Sequence, residues 1–127
     1  MEEDFGDVVS SFEIGKSYMG VPIIAYAFAI VSDDENRYVA LHDRPSLMIN
    51  AAHHPRELTT ISFCVYIMIR LLHGYVHEKE LYTNFLRDKA IFFVPMVNID
   101  GVKYISDEFD SRLEFPLIRK NRHIYWD

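Results

Sequence analysis

Ser46-Leu47-Met48-Ile49-Asn50-Ala51-Ala52-His53-His54-Pro55-Arg56-Glu57 is the stretch on which the architecture turns. Its first seven residues form an apolar run of strand length, expected to be buried. Pro55 then stands where a helix would open, because the N–H it lacks is one the first helical turn leaves without a partner. Residues 55–75 are long enough for that helix, with Leu58, Ile61, Val65, Ile69 and Leu72 spaced along one face. Further apolar runs flank this unit at 23–31 and 90–97, and a shorter one at 37–41. A strand at 11–17 precedes them, with a turn at Tyr18-Met19-Gly20. A short helix is expected at 81–88, a turn at Asn98-Ile99-Asp100-Gly101 and an irregular acidic loop at 107–114. Buried strands alternating with helices give an α/β fold: a mixed, mostly buried sheet with flanking helices, in a single domain over 1–127.

Composition narrows the function. The 127 residues carry a net charge of −6 and a single cysteine, Cys64. Without a basic stripe, nucleic acid is a poor partner. One cysteine excludes an intrachain disulfide, and Cys64 reads as helix packing, together with Phe63, Tyr66 and Met68. The run at 61–72 contains Ser62 and Arg70, so no membrane span is expected. The opening Met1-Glu2-Glu3-Asp4 does not read as a secretory leader. Gly15-Lys16-Ser17 lacks the strand and first glycine of a phosphate loop.

Ligands of open α/β sheets bind beyond the carboxyl ends of strands. There, His54 and Glu57 can direct an imidazole and a carboxylate at one point, a donor pair suited to zinc. Spacing alone proves little. With 6 His and 9 Glu in the chain, chance gives about 0.4 His-x-x-Glu patterns. A second copy, His77-Glu78-Lys79-Glu80, reads as a solvated face. His53 reads as a wall residue turned to the other side of the strand. His42, His73, His77 and His123 read as structural or exposed.

Four segments, in order, resemble the zinc metallocarboxypeptidases of the carboxypeptidase A, B and T type. Ala52-His53-His54-Pro55-Arg56-Glu57-Leu58 is similar to their zinc signature. Residues 12–23, Phe12-Glu13-Ile14-Gly15-Lys16-Ser17-Tyr18-Met19-Gly20-Val21-Pro22-Ile23, resemble their opening hairpin. Val94-Pro95-Met96-Val97-Asn98-Ile99-Asp100-Gly101 resembles their Pro-x-x-Asn-Pro-Asp-Gly turn, and Arg119-Lys120-Asn121-Arg122 their basic segment. The resemblance covers about residues 12–122, the N-terminal half of such a domain. It implies one zinc ion with His54 and Glu57 as ligands, Arg56 on substrate backbone, Arg119 polarising the scissile carbonyl, and a peptide or protein C-terminus as substrate. It also implies that the third zinc ligand, the general base and the specificity pocket belong beyond Asp127, so that the isolated chain is inactive. Family members are secreted or cytoplasmic. Departures are Val21 after Gly20, Ile99 for the turn proline and Ile118 before Arg119, while Pro55 is similar to a cytosolic branch. Other readings are a truncated paralogue acting as a peptide-binding module and a related zinc amidohydrolase.

Overall fold

A computed structural model describes residues 5–31, 41–113 and 115–123. Strands β1 (Val9–Lys16) and β2 (Pro22–Phe28) form an antiparallel hairpin. Strand β3 (Ser46–Asn50) leads into helices α1 (Thr59–His77) and α2 (Lys79–Asp88), then strand β4 (Ala90–Val94) and helix α3 (Ile99–Arg112). The sheet order is β1-β2-β4-β3, with β2 antiparallel and β3 parallel to β4. The expected mixed sheet with flanking helices is therefore present. Of the expected run at 37–41, residues 37–40 lie outside the described residues, and Leu41 is helical.

The core sits where β2 and β4 meet α1 and α2. Phe28 and Phe93 pack edge to face at 5.1 Å between ring centres, and Cys64, Met68, Leu72 and Leu86 close over them. Each such side chain, fully buried, contributes roughly 1.5–3 kcal/mol. Cys64 and Met68 are packing residues as expected, whereas Phe63 and Tyr66 are exposed. The buried stripe of α1 runs through 64, 68 and 72, so Ile69 faces solvent rather than the core. Helix α1 is long and apolar enough, by length and composition, to cross a membrane. It packs on the sheet through that stripe, while Phe63, Tyr66, Ile69 and Val76 on its other sides are exposed.

Several boundaries differ from the sequence reading. β3 is an edge strand, and its Leu47 and Met48 are 56 % and 59 % exposed. Among the described residues it pairs with β4 alone, and its adjacent, oppositely directed Leu47 and Met48 are both left uncovered. β4 ends at Val94, since Pro95 has no N–H for the ladder. The helix expected from Pro55 starts at Thr59. Residues 54–61 instead form successive short turns, in which Glu57, Thr60 and Ile61 N–H groups donate three residues back. The expected turn at 98–101 is the start of α3, with the Asn98 side chain capping it by accepting from Gly101 N–H at 3.2 Å. The expected acidic loop is helical to Arg112. Lys103–Asp107 at 3.2 Å and Glu108–Arg112 at 3.3 Å are ion pairs four residues apart, the spacing that supports a helix.

Candidate metal and substrate site

At the carboxyl end of β3 the chain leaves the sheet through a strained residue. Ala52 has φ +54°, in the left-handed region that alanine rarely adopts. This breaks the strand alternation, so His53 and His54 both line the same cleft, against the expectation that His53 faces away. Four hydrogen bonds hold the strained turn. Ala52 N–H donates to Thr60 Oγ1 at 3.1 Å, and that hydroxyl donates to the Glu57 carbonyl at 2.7 Å. Asn98 Nδ2 donates to the His53 carbonyl at 3.3 Å, while its own N–H donates to the Ala52 carbonyl. Pro55 is fully buried against Gly101, where a methyl group would come within 2.6 Å of the proline ring.

The segment at 117–119 crosses this junction and engages every residue nominated from sequence. Arg119 Nη1 lies 2.9 Å from Glu57 Oε1 in an ion pair. The Arg119 carbonyl lies 3.1 Å from His54 Nδ1, and Arg56 Nη1 donates to the Leu117 carbonyl at 3.2 Å. His54 and Glu57 thus both contact Arg119, the first at its main-chain carbonyl and the second at its guanidinium. A cation, the guanidinium of Arg119, stands at Glu57. The donor chemistry suits zinc in kind, one imidazole nitrogen and one carboxylate oxygen, but supplies two of the three protein ligands a catalytic zinc takes. Among the described residues no group of three or more His, Cys, Asp or Glu is placed to hold a metal.

Beside the pair opens a cleft of about 680 Å³, within the range of ligand pockets. Its walls are the β1–β2 turn, the His53–His54 step, the start of α3 and residues 119–123. The turn is tied to α3 through buried Asp100, which accepts from Ser17 Oγ at 2.6 Å and Met19 N–H at 3.0 Å. Gly20 takes φ +79° there. On the far side, Tyr18 packs against the His123 ring at 4.6 Å and Arg122 lies 4.1 Å over the Tyr104 ring. Thr60 and Ser17 are positioning residues that the sequence reading missed. Neither has a motif of its own; only the tertiary partner gives it a role.

Residues 1–125 match the zinc carboxypeptidase family, and the chain belongs to it. It is 30% identical over 104 residues to carboxypeptidase B2 of Bos taurus, covering 82% of this chain and 22% of that protein. It is likewise 30% identical over 105 residues to a zinc carboxypeptidase of Saccharothrix mutabilis subsp. capreolus, covering 80% of this chain and 22% of that one. The crystal structure of thrombin activatable fibrinolysis inhibitor superimposes with a TM-score of 0.74 at 23% identity, over 98% of this chain and 27% of that one. The chain therefore spans about a quarter of the length of these relatives.

Proposed function

We propose that this chain is the segment of a zinc metallocarboxypeptidase that carries the first two metal ligands, His54 and Glu57, and acts on peptide or protein C-termini. The observation that supports the reading is that Arg119 contacts both residues, His54 through its carbonyl and Glu57 through its guanidinium, at the end of β3. Zinc in such a site supplies Lewis acidity and the activation of water near neutral pH. Arg119, held beside the ligands, directs a fixed positive charge toward the carbonyl of the bond to be broken, the kind of preorganised charge that lowers acyl-transfer barriers most. Arg56 binds peptide backbone, a role consistent with its present partner being a carbonyl. Asn98 and Thr60 keep the junction in its strained shape.

With two donors placed among the described residues, the 127 residues by themselves are expected to be inactive. The two-donor set equally favours a second reading, a peptide-binding module without turnover. Both are tested by incubating the chain with zinc and a peptide with a free C-terminus, and following release of the terminal residue by mass spectrometry. The same assay is run on a protein in which the missing ligand and base are restored by joining the chain to the rest of a relative's domain. Release by the joined protein, abolished by a chelator and by Glu57→Gln, supports the first reading. Binding of peptide without release by either protein supports the second.

A further inference from the structure

We infer that the cleft beside His54 selects peptides bearing acidic side chains close to their C-terminus. The inference rests on the reading of this cleft as the peptide-binding side of the site. Three of its lining residues are cations, Arg119, Lys120 and Arg122, and one is an anion, Asp100, in a chain whose net charge is −6. The cleft is a basic hollow in an acidic molecule.

The polar atoms are used in a lopsided way. Ser17 Oγ accepts from Val21 N–H at 3.0 Å, Asn98 Oδ1 from Gly101 N–H at 3.2 Å, and Asn121 Oδ1 from His123 N–H at 3.3 Å. Both carboxylate oxygens of Asp100 already accept hydrogen bonds. Asp100 also lies in the first turn of α3, where the helix dipole offsets its charge. Every side-chain oxygen lining the cleft except the Tyr18 hydroxyl already accepts a hydrogen bond, and that hydroxyl donates as readily as it accepts. The donors are in the opposite state. Arg119 is paired with Glu57, but Lys120 and Arg122 make no ion pair among the described residues, and Arg122 is held in place by stacking on Tyr104. A neutral amide side chain entering here finds donors for its oxygen but gains no charge-assisted bond from them. A carboxylate finds donors for both oxygens, and charge-assisted bonds are about twice as strong as neutral ones. The surrounding negative charge of the chain leaves this hollow as the place where an acidic peptide is drawn in rather than repelled.

The test uses two fluorescent peptides with free C-termini, identical except that glutamates just before the last residue are glutamines in the second. Both keep the terminal carboxylate, so any difference reports the side chains. Fluorescence anisotropy with this chain, without added metal, is expected to show the glutamate peptide bound roughly tenfold more tightly at low salt, about 20 mM, with the advantage shrinking at about 300 mM. Lys120→Gln and Arg122→Gln each remove part of the advantage, the double variant removes it, and Glu80→Gln, exposed on α2 away from the cleft, leaves it unchanged. Equal binding of the two peptides, no binding of either, or an advantage that survives the double variant overturns the inference. The metal reading fails separately. If Glu57→Gln leaves zinc affinity unchanged while the glutamate advantage persists, the metal assignment falls and the acidic cleft stands. If zinc affinity depends on Glu57 and the peptides bind alike, the reverse holds.

Discussion

His54–Glu57 and His77–Glu80 share one spacing and nothing else. The first pair sits beyond the end of β3, and both members reach Arg119, across 65 and 62 residues of sequence. The second straddles the end of α1 and the start of α2, is exposed, and its histidine lies 4.3 Å from the His73 ring on the same helix. Among the described residues, neither His77 nor Glu80 forms a hydrogen bond or ion pair with a residue distant in sequence. The same spacing thus occurs in two settings, and only the first brings both side chains against a segment distant in sequence.

The largest expected effect separates the copies directly. His54→Ala or Glu57→Gln lowers zinc affinity by roughly a hundredfold or more, since even partners of ligands cost 10–100-fold. His77→Ala and Glu80→Gln leave it unchanged, as calorimetric titration at neutral pH would read. Equal losses at both pairs would erase the distinction.

Glycines near each copy give the next test. Gly101→Ala forces a methyl group against the rigid, buried Pro55 ring and is expected to destabilise by about 1–3 kcal/mol. Because Pro55 lies between His54 and Glu57, zinc affinity should fall with it. Gly74→Ala, three residues before His77, drives a methyl group into the Tyr82 ring. It should destabilise by a similar amount in urea denaturation and spare zinc affinity.

Arg119→Gln sharpens the comparison from the other side. Removing the guanidinium that stands at Glu57 frees the carboxylate, so zinc affinity rises several-fold, in keeping with a partly exposed ion pair of up to about 1 kcal/mol. No substitution of a cation near His77 should do the same.

The smallest effect concerns pH. Tyr75, two residues before His77, donates to Asp7, and that hydrogen bond, burial and the carboxylate charge together raise its pKa above the usual 10.0. The folded state thus favours the protonated phenol. Its contribution is complete below the ordinary value and is lost as pH rises through the raised one. Denaturation midpoints should fall above about pH 10, and Tyr75→Phe should flatten that fall.

Much of this was readable from residue order. The runs at 46–52 and 90–97 marked β3 and β4, and the Pro55 region marked a strand-to-helix junction. The two strand ends missed by a few residues, Ala52 and Pro95, are backbone features rather than pattern features. The loop expected at 107–114 was misread because its acidic composition hid ion pairs four residues apart with Lys103 and Arg112. Edge exposure of Leu47 and Met48 could not be read, because an apolar run looks the same in the centre of a sheet and at its margin.

The sequence by itself determined the family, through four segments in order, and placed an imidazole and a carboxylate at a β-to-α junction. Those are local properties, carried by residue type and spacing. Tertiary structure alone decided that Arg119 meets Glu57, that Ala52 is held left-handed by Thr60 and Asn98, and that Lys120 and Arg122 face a cleft whose acceptors are mostly occupied. Each depends on bringing distant segments together through sheet register and core packing, and no local pattern of residues encodes which atoms then meet.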